Sequence, residues 1–207
     1  MPAKPMINRL VGAATAAGSA LVLALLASLG HALEEPTFER LETEGDFELR
    51  RYAGYHIVSA PAGASFEETG DVAFRPLFRY ISGANTGGND IAMTAPVLQT
   101  RADADWRLAF VVPAEVAAGS IPAPVTPGLA IETVPGGLYG VQRFSGGWGE
   151  ERFMAQELAL AETLKARGYA ICGPTRYARY DPPFKPWFLR RNEILMPVEQ
   201  GACSARR

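Results

Sequence analysis

Beyond residue 32 the hydrophobic pattern switches between two periods. Phe47-Glu48-Leu49-Arg50-Arg51-Tyr52 alternates as a strand does, and the β-branched run Tyr55–Ala60 continues it. Phe74, Leu77, Phe78 and Ile81 then fall at i, i+3, i+4 and i+7, an apolar helical stripe with Asp71 placed to cap it. Proline is tolerated only near a helix's first turn, so Pro76 predicts a short helix, and Gly83 with the Asn85–Asn89 stretch stops it. Two strands are expected next, Ile91–Thr100 and Trp106–Val112.

The second half repeats that order. Leu129–Phe144 reads as a strand pair or one bent strand broken at Gly136-Gly137. Glu150 and Glu151 open a helix in which Met154, Leu158 and Ala161 share a face, and Gly168 stands where a helix C′ glycine belongs. Strands near Tyr177–Tyr180 and Glu193–Val198 follow. Laid over each other, the halves align Tyr55 with Tyr139, Ile57 with Val141, Pro113 with Pro197 and Glu115 with Glu199, all 84 residues apart. Two copies are too few for a solenoid. A pseudo-twofold β-α-β-β duplication predicts an α+β fold, a distorted antiparallel β-barrel with two helices packed on it.

The first 32 residues differ from the rest. They hold Lys4 and Arg9 and no acid, an uncharged stretch from Leu10, and a small-x-small end at Gly30-His31-Ala32. That is the layout of a signal peptide (1–32) ahead of one domain (33–207), which would place the mature chain in the periplasm or outside the cell. An uncleaved membrane anchor is the alternative. In an oxidising compartment Cys172 and Cys203 either form a bridge or stay as a buried and a frayed thiol.

Charge and motif content narrow the chemistry. After residue 32 the chain carries 18 Lys and Arg against 22 Asp and Glu, which gives nucleic acid or a polybasic membrane contact little support. His56 is the one histidine of that region, and no Cys-x-x-Cys, His-Glu-x-x-His, phosphate-binding loop or Gly-x-Ser-x-Gly elbow occurs. The sequence does not read as a conventional enzyme.

Three blocks carry a resemblance. They are Phe47-Glu48-Leu49-Arg50-x-Tyr52, then Phe78-x-Tyr80-Ile81-x-Gly83-x-Asn85 running into Ile91-x-Met93-Thr94-x-Pro96-Val97, and Tyr180-x-x-Pro183 leading to Arg190-Arg191-Asn192-Glu193-Ile194. From about Phe38 to Val198 the chain resembles the SOUL haem-binding protein family. The resemblance implies the same two-helix barrel and a haem or porphyrin ligand held at an apolar surface cleft. Together with the missing catalytic motifs, this gives the reading of an exported, non-catalytic haem or porphyrin carrier or buffer. That family is similar in fold to GyrI-like drug-binding domains, in which a buried glutamate of the last strand meets cationic aromatic ligands, and Glu193 stands in an equivalent-looking strand. Two alternatives follow from the shared fold, a module for flat apolar or cationic ligands and a tetrapyrrole- or ester-modifying hydrolase.

Haem needs a flat apolar slot and cations for its propionates. The first helix offers Phe74, Leu77 and Phe78 beside Arg75 and Arg79, against the alternative that the apolar stripe is simply core. The Pro182–Leu189 loop offers Phe184, Lys185 and Trp187, with Arg190 following. His56 is the imidazole available as an axial ligand. By strand parity it faces solvent if Tyr55 and Ile57 face the core. Met93 is a thioether in a turn block, better suited to packing.

Overall fold

Period-two segments become strands that pair in antiparallel ladders throughout. The computed structural model describes residues 33–67, 69–103 and 105–204, with the backbone alone at 69–71. The expected signal segment and its anchor alternative lie outside the described residues. The elements are β1 (Phe38–Glu44), β2 (Phe47–Tyr52), β3 (Tyr55–Pro61), α1 (Thr69–Ile81), β4 (Val97–Ala102) and β5 (Asp105–Val111). There follow α2 (Ala114–Ala118), β6 (Ala130–Val134), β7 (Gly137–Ser145), α3 (Glu150–Ala166), β8 (Tyr169–Ile171), β9 (Arg176–Arg179) and β10 (Arg191–Gln200). The sheet runs β1-β2-β7-β10-β9-β4-β5-β3-β6, with β8 also on β10, and curls into a half-barrel whose edges β1 and β6 do not meet.

That order is the duplication made visible. The unit β3-α1-β4-β5 matches β7-α3-β9-β10, and β4 meets β9 at the pseudo-twofold axis. Ile57 pairs with Val111 as Val141 pairs with Leu195, 84 residues further on in both strands. Leu98 opposite Ala109 corresponds to Ala178 opposite Glu193, so the offset is 80 on the strands at the axis.

Each face of the sheet has its own core. One is covered by the helices, α1 mainly on β3 and β5 and α3 on β7, β8 and β10. There Leu77, Tyr80, Phe153, Leu160 and Leu164 close over Val58, Phe110, Ile194 and Met196. Burial of such side chains contributes ~1.5–3 kcal/mol each. The concave face is filled by Tyr52, Ile57, Leu98, Tyr139, Val141 and Leu195. α3 lies close on β7 because Gly140 has no side chain: a Cβ there would be 2.5 Å from Leu164 Cδ2. Gly168 (φ 78°) ends that helix in the left-handed region.

Several expectations need correcting. β3 does not continue β2. The two are separate strands, β2 between β1 and β7, β3 between β5 and β6. α1 starts at Thr69, two residues before Asp71, and runs through Pro76. That proline leaves the carbonyl of Val72 without its helical donor, on an exposed residue that water can reach. Ile91–Pro96 is a turn rather than strand, held by a 2.7 Å bond from Thr94 Oγ1 to the Val111 carbonyl. In α3 the buried stripe is Phe153, Leu160 and Leu164, while Leu158 is exposed. Cys172 and Cys203 form a disulfide. Among the described residues no helix is long and apolar enough to cross a membrane.

Candidate functional site

Three groups of expected site residues can now be placed. The first is on α1. With 3.6 residues per turn, Ala73, Leu77 and Tyr80 form the buried stripe, and Phe74 and Phe78 lie on its shoulder. Their rings stack nearly parallel, 13° apart with centroids 6.1 Å apart, and remain 40% and 51% exposed. Phe74 rests edge-on against Phe110 of β5 at 5.2 Å. Arg75 and Arg79 occupy the next strip outward, exposed and without an ion pair to any described side chain. Leu77, expected to share in the site, is fully buried and serves the core instead.

The second group is the β9–β10 loop. Phe184, Trp187, Phe188 and Leu189 are exposed there, Phe184 at 87%. Its cations are tied down locally. Lys185 Nζ donates to Asp181 Oδ1 at 2.6 Å, and Arg190 donates to the carbonyls of Lys185 and Pro183. Arg190 also stacks over Trp148, 4.5 Å from the ring centroid.

Glu193 makes the third group, and it is not open to a ligand. Its carboxylate is fully buried, with Oε2 accepting from Arg50 Nη1 (2.8 Å) and Tyr180 Oη (2.8 Å). Oε1 accepts from Arg50 Nη2 (3.0 Å) and Arg191 Nε (2.9 Å). Arg50, equally buried, donates as well to Glu48 Oε2 (2.6 Å) and Tyr52 Oη (2.9 Å), under the ring of Phe38 at 4.3 Å. Arg191 continues the network to Glu35 (2.8 Å) and lies over the Tyr180 ring. Asn192 holds the β7–α3 loop through Gly146 O and Trp148 Nε1. The Arg-Arg-Asn-Glu block thus binds its own domain together.

His56 sits half-buried on β3. Its parity partners Val58 and Ala60 pack under α1, so it belongs to the helix-covered face and not to solvent. Parity places it opposite Tyr55 and Ile57 as expected, but α1 packs on that face of β3, so His56 is partly covered rather than fully open to solvent. Met93 packs against the helix-side core. Among the described residues no three His, Cys, Asp or Glu side chains group as metal ligands.

Electrostatics follow the ion pairs. Burial pushes Glu193 and Glu48 up, but the hydrogen bonds and charge of Arg50 outweigh it and hold both below their ordinary 4.5. Burial raises Tyr52 to about 12 and Tyr180 well above its usual value. Groups depressed in the fold contribute stability above their unfolded pKa and lose it as pH falls through the folded value. The denaturation midpoint should therefore fall steeply once pH drops below about 4.5. Glu193→Gln should flatten that acid limb; an unchanged limb would assign it to other carboxylates.

Sequence reasoning passed over Arg50 and Arg179. The signal for Arg50 was Glu48-x-Arg50-x-Tyr52, polar groups at period two on the strand face that should have been core. Nothing in the sequence marks Arg179, a half-buried guanidinium among rings on the helix side of β9.

Comparison with known proteins agrees with this architecture. The crystal structure of the EcmrR C-terminal domain superposes with a TM-score of 0.59 at 15% identity, covering 74% of this chain and 97% of that one. A hydrolase from Listeria innocua superposes at 0.53 with 10% identity, covering 77% and 94%. These likenesses establish the fold alone. No curated protein matches in sequence. The model of the SOUL heme-binding protein family matches residues 33–197, spanning both halves of the duplication and all three sequence blocks, and the chain belongs to that family.

Proposed function

We propose that this protein is a non-catalytic tetrapyrrole carrier or buffer that binds haem or another porphyrin on the outer shoulder of α1. The observation that carries the reading is the near-parallel pair Phe74 and Phe78, half-exposed beside two exposed arginines that pair with no described side chain. Flat stacked rings suit the face of a macrocycle, and Arg75 and Arg79 suit its propionates. The exposed aromatics of the β9–β10 loop supply a second apolar surface. No axial iron ligand is required by this reading, and His56 is retained as the imidazole to test. A hydrolase on the same fold that used Glu48 or Glu193 as its acid would need that carboxyl protonated. Glu48 and Glu193 are instead held ionised by Arg50, which withdraws them from proton transfer.

The protein is further proposed to be exported, its first 32 residues acting as a signal peptide. The Cys172–Cys203 bridge supports an oxidising compartment.

Titration with haemin and with metal-free protoporphyrin, followed by absorption, tests the reading. Both should bind with affinities within about threefold if the slot is apolar and the iron uncoordinated. Phe74→Ser with Phe78→Ser should weaken both at least tenfold, the equivalent of ~1.4 kcal/mol. His56→Ala should change neither. No shift of the Soret band at micromolar haemin would end the haem reading.

A further inference from the structure

The duplication is broken at its axis, and the break strands a cation. Gln99 of β4 and Arg179 of β9 are equivalent positions, joined by a 2.6 Å bond from Arg179 Nη2 to Gln99 Oε1. The guanidinium makes no other hydrogen bond to a described residue. Its Nε is closed off from water without a partner. The rings of Phe66, Trp148 and Phe153 surround the guanidinium at 5.2, 5.4 and 5.7 Å. Burial, with no carboxylate to oppose it, lowers its pKa to about 10. A partly buried charge with no counter-ion among the described residues costs stability.

The two pseudo-symmetric ends of the helix-covered face differ, and the difference bears on where a counter-charge would come from. At one end Trp106, Tyr177 and Phe66 interlock edge to face. Their pseudo-symmetry mates do not. Val97 replaces Tyr177 and Arg190 replaces Trp106, and Arg190 and Arg179 both lie against the half-buried Trp148. Val97 is paired with Phe110 on one side and Arg179 on the other. Phe110 in turn carries the Phe74 ring. At ~4.8 Å per strand, the Arg179 backbone lies roughly 10 Å from that of Phe110 along one row of the sheet, about the span of a porphyrin.

We propose that Arg179 is a buried anion site, and that it receives a carboxylate of the ligand held on α1, for a tetrapyrrole one of its propionates. This rests on the tetrapyrrole reading above. It adds a specificity element: the site selects a macrocycle bearing free acids over the same macrocycle without them, through a charge-assisted bond in a ring-lined, poorly hydrated setting.

Haemin and haemin dimethyl ester, titrated in parallel against the intact protein, test this. Wild type should bind the diacid at least tenfold more tightly than the diester. Arg179→Gln should reduce that ratio at least fivefold by weakening the diacid, leaving the diester within twofold. Arg179→Lys, which keeps the charge, should retain part of the preference. Equal affinity of wild type for the two ligands overturns the site whatever the variants do. So does a diacid-to-diester ratio that Arg179→Gln leaves unchanged, and in both cases binding on α1 still stands. Failure of wild type to bind either ligand removes the tetrapyrrole reading and this site together.

Discussion

Arg50→Met is expected to remove a large share of the folding stability of this domain. Arg50 reaches Glu48, Glu193 and Tyr52 from a fully buried position, and Glu193 is buried as deeply. Taking away the guanidinium leaves two carboxylates with part of their charge unanswered, and breaking a buried pair in this way costs ~3–5 kcal/mol. Typical domains have only about 5–15 kcal/mol to lose. Guanidinium denaturation followed by tryptophan fluorescence measures it. The double variant Arg50→Met with Glu193→Gln should recover part of the loss, because the neutral amide no longer needs a cation. A loss below about 1 kcal/mol would mean that Arg191 and Arg143, which already approach Glu193 at 2.9 and 3.5 Å, take over.

The same network weighs on the choice between ligand classes. Glu35, Glu48 and Glu193 face Arg40, Arg50, Arg143 and Arg191, so bases outnumber acids on the concave face. A cationic aromatic ligand would have to displace Arg50 from Glu193 and then sit among the remaining arginines. The proposed site on α1 carries the opposite preference, two exposed cations beside apolar rings. A shared fold therefore does not by itself bring a cation site with it.

How much of this was legible in the sequence depends on how local each feature is. The 84-residue offset was readable because the duplication preserved register in the outer strand pairs, as Ile57 with Val111 and Val141 with Leu195. β1 was missed because its side chains are nearly all exposed: a polar edge strand has no buried face to impose a period. Pairing between β2 and β7, or β3 and β6, is tertiary, and no local pattern separates β3 from the strand preceding it. The same holds for the site. Phe74, Phe78, Arg75 and Arg79 lie within a turn and a half of one helix, so their spacing carries the information. Arg179 becomes unusual only when Gln99, Phe66, Trp148 and Phe153 arrive from four other segments.

The disulfide carries the other large effect, and its size follows from where it closes the chain. Cys172 directly follows β8 and Cys203 stands beyond the end of β10, with 31 residues of separation that contain β9 and the aromatic loop. β8 holds to the sheet by a short ladder, Ile171, Ala170 and Tyr169 opposite Val198, Glu199 and Gln200. Without the bridge the C-terminal end of β10 is free to fray, and β8 loses its partner with it. The chain-entropy model sets the loss for a loop of this length at ~3.5 kcal/mol. Reduction, or Cys172→Ser with Cys203→Ser, should lower the denaturation midpoint accordingly. Amide exchange should accelerate at Tyr169–Ile171 and Val198–Gln200 while Leu195 and Val141, central in the β7–β10 ladder, stay protected. An unchanged midpoint on reduction would show that the short ladder holds without the covalent link, and would remove the stability argument for an oxidising compartment. Loss of protection at Leu195 as well would place the bridge within the cooperative unit of the whole sheet.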